Sequence, residues 1–331
     1  MTHNPTRRDV LKTTGIAAAG TVGLAGCLGE EGEYPSSDLT VIIPFDEGGG
    51  SDTIVRQMTS PLSEELDVNI RPENVPGAGA MRGIGQLLSE EPDGYTCGKF
   101  NPLTTSIQAM INPPDFEFED LKGLATIGFN SIVLIADADE DIGDFDALID
   151  AYEDGTYTNI GGLGVNYLPN VMFFKERFGM EWDNYIEYSG AGPINQAVAS
   201  GEVPAAVTSD AGAAEAVSGG DAEVLAVLTS NGSDVFPDAP TIPELGYEDM
   251  DFIGQITRAM WVPPETPEEN IDVLTGAIEA VVEGETMQEW SDDTGNPITY
   301  GPPEEADEVL DQVWTEIPDV VDIEELREAA E

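Results

Sequence analysis

Short apolar runs alternate along this chain with longer stretches in which apolar residues recur every three or four positions. The run at 39–45 predicts a buried strand, and a Gly-rich turn leads from it into a helix at 51–66, kinked or split at Pro61. The pattern continues with a strand at 68–71, a helix at 79–89, a strand at 95–100 and a helix at 104–111. This βαβ order implies a mostly parallel sheet. The long apolar stretch 124–136 predicts a strand passing between domains. A second alternation follows, with helices at 145–152, 168–178, 194–200 and 212–217 and strands at 157–160, 185–188, 205–208 and 224–228. A second long strand is expected at 252–262, and helices at 270–282 and 304–315 close the chain. Two α/β units joined by two crossings fit this order.

Composition narrows what such a fold does. The 331 residues include 65 Asp plus Glu against 12 Lys plus Arg, a formal net charge of −53. A phosphate-backbone binder needs clustered cations, so nucleic acid is excluded as a partner. High charge also marks disorder, but 40% hydrophobic residues suffice for a core. The acids are spread rather than gathered in a tail, which suits a halophilic protein whose self-repulsion salt screens. A cation-binding role for them is the weaker reading. The run Asp137-Ala-Asp139-Glu140-Asp141 opens like a calcium loop, yet Ile142 and Leu148 stand where Gly and Glu are needed. No metal and no cofactor are expected. Gly161-Gly162-Leu163-Gly164 also lacks the dinucleotide fingerprint spacing. Asn231-Gly-Ser is a glycosylation sequon.

The N-terminus reads as an address. Thr6-Arg7-Arg8-Asp9-Val10-Leu11-Lys12 forms a twin-arginine export signal, and the apolar run after it ends in Leu24-Ala25-Gly26-Cys27, which resembles a lipobox. The run is too short for a hydrocarbon core of roughly 30 Å. Residues 1–26 are therefore expected to be removed, Cys27 to carry lipid, and 27–36 to act as a tether at the outer face of the cell membrane. With Cys27 used, Cys97 has no disulfide partner. The single histidine, His3, lies in the signal. A mature chain without histidine excludes Ser-His-Asp and Cys-His catalysis and ordinary zinc sites.

Five ordered landmarks carry a family resemblance. Phe45-Asp46-Glu47-Gly48-Gly49-Gly50-Ser51-Asp52 resembles the first strand-to-helix loop of the tripartite tricarboxylate transporter substrate-binding proteins, the Bug or TctC-like family. Glu73-Asn74-Val75-Pro76-Gly77-Ala78-Gly79, Pro92-Asp93-Gly94-Tyr95-Thr96, Thr241-Ile242-Pro243-Glu244-Leu245-Gly246-Tyr247 and Trp261-Val262-Pro263-Pro264-Glu265-Thr266-Pro267 follow in the family's order. The resemblance implies a two-lobed, periplasmic-binding-protein type II-like α/β fold. Domain 1 is expected at 37–128 and 258–331 and domain 2 at 129–257, joined by two crossing strands with a cleft between. It also implies a receptor, not an enzyme: a monomer that captures a small carboxylate (di- or tricarboxylate, amino acid or aromatic acid) and delivers it to a membrane permease.

The loops agree with this on physical grounds. Glycines at 48–50 let the backbone approach a ligand, and a helix starting near Ser51 presents unpaired N–H groups to an anion. Asp52 falls in that helix's first turn, where it caps N–H groups or orders water; an ordinary capped turn is the plainer reading. Gly162, Gly164, Val165 and Asn166 form a facing loop, with Asn166 where the family usually has Ser, Leu168 where it commonly has His, and Ser189 where it has Lys. Thr104 and Asp210 match cleft positions, Asp210 otherwise capping the next helix. Arg258, ahead of Arg82, is the candidate counter-charge, although a salt bridge is the commoner fate of an Arg. Phe45 and Tyr167 flank the loops as candidate walls. The rivals are a secreted carboxylate-pair hydrolase of glycosidase type and a receptor that presents its ligand to a sensor kinase.

Overall fold

The computed structural model describes residues 34–138 and 142–330. The signal, Cys27, most of the 27–36 tether and Asp139 to Asp141 of the rejected calcium loop lie outside the described residues. Residues 34–331 form one compact unit.

The first half opens with β1 (Leu39–Ile43), α1 (Gly50–Leu66), β2 (Ile70–Asn74), α2 (Met81–Ser89), β3 (Thr96–Phe100) and α3 (Pro102–Ile111). β1 pairs in parallel with β2 and with β3. The 16-residue β4 (Lys122–Asp137) then leads into the second half. That half holds α4 (Phe145–Glu153), β5 (Asn159–Leu163), α5 (Leu168–Phe173), β6 (Asn184–Tyr188), α6 (Ala191–Ala199), β7 (Ala205–Ser209), α7 (Asp210–Gly219) and β8 (Ala222–Val227). α8 (Asp251–Gly254) and β9 (Gln255–Val262) return the chain, and α9 (Glu268–Val282), α10 (Glu285–Thr294), α11 (Pro303–Val320) and α12 (Ile323–Ala329) complete it.

The strand order is β2-β1-β3-β9-β4-β7-β5-β6, with β8 also on β4. β4 belongs to both halves. Its first part pairs antiparallel with β9, and its last part lies antiparallel between β7 and β8. The register shifts between Thr126 and Phe129, around Gly128, whose φ is +122°. A side chain there would stand 2.4 Å from the Pro297 carbonyl oxygen, so glycine is required where the crossing strand bends.

The expectation of a mostly parallel sheet needs correction. Each half keeps a parallel trio, but β4, β8 and β9 pair antiparallel, because strands that pass between two βαβ units run against the strands they border. The expected strand at 252–262 is also shorter. Phe252 to Gly254 lie in the helical turn of α8, closed by Ile253 and Gly254 N–H bonds to the Met250 carbonyl, and the strand begins at Gln255. Pro61 neither kinks α1 into two nor ends it, since one helix runs through it. Buried Met58 and Leu62 on either side hold that helix on the core. The helix expected at 168–178 changes at Phe174 to a π-turn that Gly179 terminates with φ +76°.

Apolar clusters cover both faces of the sheet. α1 and α9 pack on one side of the first half and α2 on the other, while α4 and α5 oppose α6 and α7 in the second. Each fully buried Leu, Ile or Phe contributes roughly 1.5–3 kcal/mol of transfer free energy. α3 and α11 serve both halves: Ala109 and Leu310 join the first-half cluster, and Ile107 and Ile317 the second-half one. Among the described residues no helix is long and apolar enough to cross a membrane.

Candidate functional site

A cavity of about 500 Å³ opens where the C-terminal ends of β1, β2 and β3 meet the second half. Open α/β sheets place ligands outside the carboxyl ends of their strands. Pro44, Phe45, Asp46 and Gly49 come from the β1 exit; Pro76, Gly77, Gly79 and Ala80 from the β2 exit; Thr104, Thr105 and Gln108 from α3; and Asn166 from the loop after β5.

The β1 exit is fixed by Asp52. This buried carboxylate accepts the Gly48 N–H at 2.8 Å, the Arg56 Nε–H at 2.9 and 2.8 Å on its two oxygens, and the Asn74 side-chain N–H at 2.9 Å. The Arg56 bond, with help from Gly48 and Asn74, pulls its pKa down to about 2. Asp52 thus ties loop, helix and β2 together and does not line the cavity. The N-cap of α1, Gly49, has no side-chain cap, so the first-turn N–H groups keep their capacity for an anion.

The β2 exit is held in a left-handed turn. Gly77, Ala78, Gly79 and Ala80 have φ of +126°, +49°, +61° and +82°. Two alanines in that region cost of order 1 kcal/mol each, and such strain persists where surrounding structure enforces it. The cavity wall is that place.

Across the cavity, Gln108 Nε2 donates to Asn166 Oδ1 at 3.0 Å. The loop bearing Asn166 is pinned by the Tyr185 hydroxyl, which donates to the Gly164 carbonyl at 2.7 Å. A side chain on Gly162 would stand 2.1 Å from that hydroxyl. Gly162 therefore serves the packing of Tyr185, and Gly164, with φ +61°, serves the turn. Neither they nor Val165 line the cavity.

Asp210 and Arg258 lie in a separate buried network at the crossing. Arg258 donates to the Pro297 carbonyl at 2.8 Å and to Asn130 Oδ1. Asn130 in turn donates to Asp210 at 3.3 Å, and Ser233 does so at 2.8 Å. Asp210 also accepts the Ala211 N–H at 2.7 Å. Burial lowers the Arg258 pKa to about 10, against the pull of Asp210. Arg82 is exposed on α2. Tyr167 is core, its pKa raised by burial and then by Asp210.

Of the expected residues, the structure brings Phe45, Gly49, Thr104 and Asn166 together around one space, and Gly48, Gly50 and Ser51 flank Gly49 in the chain without lining it. Sequence reasoning missed Thr105, Gln108 and Lys99. Thr105 is 1% exposed and its hydroxyl has no hydrogen-bond partner among the described residues. Lys99, also 1% exposed, donates to Ser51 Oγ at 2.9 Å and to Asn101 Oδ1 at 2.7 Å. A lysine inside a predicted strand of an acid-rich chain was the available signal. Among the described residues no group of acids, cysteines or histidines could hold a metal ion.

The chain is similar to known proteins over most of its length. The TctC profile, described as tripartite tricarboxylate transporter family receptor, matches residues 54–308. Protein BugT of Bordetella pertussis is 27% identical over 311 residues, covering 92% of this chain and 94% of BugT. The crystal structure of a TctC solute-binding protein from Polaromonas, without ligand, superposes with a TM-score of 0.79 at 23% identity, covering 87% of this chain and 99% of that one. MatC from Rhodopseudomonas palustris with bound malate gives 0.62 at 23% identity, covering 90% and 100%.

Proposed function

Because the chain belongs to the tripartite tricarboxylate transporter family of receptors, we propose that it captures a small carboxylate in the cavity between its halves and delivers it to a membrane permease. The observation that carries this reading is the cavity wall itself. Glycine-rich turns, an uncapped helix start and the unpartnered Thr105 hydroxyl surround about 500 Å³. Such a wall supplies donors without chemistry to perform. Phe45, Gly49, Thr104 and Asn166 are the proposed direct contacts, and Gly48, Gly50 and Ser51 supply backbone N–H groups. Gly162, Gly164 and Val165 shape the facing loop, and Asp210 and Arg258 support the crossing between a first domain (37–128 and 258–331) and a second (129–257). Malate bound to MatC supports a carboxylate of that size.

Asp46 also lines the cavity. A carboxylate there favours a ligand that carries a hydroxyl or amino donor beside its acid group, a hydroxy acid or amino acid rather than a plain alkyl dicarboxylate.

Export by the twin-arginine route, lipidation at Cys27, a monomeric state at the outer face of the cell membrane and adaptation to high salt complete the proposal. They rest on the motif at 6–12, the lipobox-like 24–27 and the net charge of −53. The test is a thermal-shift and calorimetric screen of the mature chain in high salt against malate, citrate, adipate, amino acids and aromatic acids. Stabilisation by at least one acid is expected. No stabilisation by any of them, together with turnover of a glycoside, would instead favour a secreted hydrolase.

A further inference from the structure

Lys99 is buried without an acid, in a chain that has 65 of them. Among the described residues no carboxylate forms an ion pair with it. Burial, then the neighbouring Arg258, hold its pKa well below that of an ordinary lysine. A group so costly to bury needs a local reason.

The reason lies in what its two partners can still do. As an ammonium, a lysine has only N–H groups to give, whereas a hydroxyl or an amide both donates and accepts. Lys99 directs its N–H groups to Ser51 Oγ and Asn101 Oδ1. Ser51 is left with its O–H to donate, and the Asn101 amide, its oxygen turned to Lys99, is left with its NH2, which meets no acceptor among the described residues. Ser51 stands in the first turn of α1, two residues from cavity-lining Gly49, and Asn101 is the N-cap of α3, three residues before cavity-lining Thr104. Gly49 at the first helix start and Thr104 and Thr105 at the second line the same space, and the Thr105 hydroxyl is buried with no partner among the described residues.

We propose that Lys99 is a positioning residue that commits Ser51 and Asn101 to act as hydrogen-bond donors toward a ligand carboxylate. The site then prefers an anion although no Lys or Arg lines the cavity, the lysine standing behind the two donors. This rests on the receptor function proposed above and assigns its anion selectivity to three side chains.

The test titrates malate, or the acid of the screen that binds where malate does not, into the mature chain and four variants. Lys99→Met and Ser51→Ala are each expected to weaken binding about tenfold, and the double variant to be no weaker than Lys99→Met alone. Asn101→Asp exchanges the donor for an acceptor and gives Lys99 a counter-charge. It is expected to keep or raise Tm while losing at least tenfold in affinity, so the test survives if Lys99→Met does not fold. Single losses that multiply in the double variant, or wild-type affinity in Asn101→Asp, overturn the proposal. If the unaltered chain binds no acid of the screen, the receptor reading falls with it. Binding with an uncoupled cycle removes Lys99 alone.

Discussion

Gln108 and Asn166 meet across the cavity at 3.0 Å, one on α3 and the other on the loop after β5. They form a direct polar link between the two walls. A hydrogen bond of this kind contributes about 1 kcal/mol net, so in a receptor whose halves close on their ligand its loss is expected to change the ratio of closed to open forms by about fivefold. Gln108→Ala is therefore expected to enlarge the ligand-free molecule in small-angle scattering and to weaken carboxylate binding by about that factor. Unchanged scattering and affinity would show that the contact carries no closure energy.

Gly79 lies directly against that link. A methyl group on it would stand 2.7 Å from Gln108 Oε1 and 2.8 Å from Gln108 Cβ, with φ at +61°. Gly79→Ala thus combines overpacking with a left-handed alanine, and a loss of about 1–3 kcal/mol in denaturant unfolding is expected. Affinity should fall too, since Gln108 must move. The exposed Ala78, at φ +49°, predicts the opposite sign: Ala78→Gly removes the strain and is expected to raise Tm slightly.

Asp52 gives a pH signature. Its pKa, ordinarily 3.8, is about 2 in the fold because Arg56, Gly48 and Asn74 bond the charged form. A lowered folded-state value means its contribution is complete above about pH 4 and is lost as pH falls toward 2. Wild type is expected to exceed Asp52→Asn in denaturant midpoint at pH 6, and the gap to narrow through that window. A gap constant from pH 6 to pH 2 would refute the charge-dependent role.

The loops at 45–52 and 73–79 were legible because glycine runs before a helix have few structural uses. The contributions of Ala80 and Gln108 were not, since an alanine's positive φ and a glutamine's partner are set by tertiary packing. Gly162 looked like a ligand-approach glycine, and its reason emerged only with the Tyr185 hydroxyl beside it. Arg258 was the natural anion partner by charge alone, but β9 carries it into the Asn130 and Asp210 network instead. Residues 252–254 read as strand because Phe-Ile-Gly is as apolar as the segment that follows. Gly254 is required where that turn packs, since its Cα passes so near Leu228 that a side chain would stand 2.3 Å from the Leu228 carbonyl oxygen.

Salt should act on capture with an unusual sign. A net charge of −53 repels an anionic ligand over long range, whereas the proposed donors are glycine N–H groups, helix starts, Ser51 and Asn101, which act at contact. The Debye length shrinks from about 10 Å at 0.1 M to about 3 Å at 1 M salt, so the repulsion is screened and the local bonds are not. Malate affinity is therefore expected to rise several-fold between 0.1 and 1 M KCl, measured at temperatures where the chain stays folded throughout. A pocket that captured its ligand through exposed Lys or Arg would show the reverse. Affinity that falls with added salt would locate the attraction in cations rather than in the wall of donors around Gly49 and Thr104.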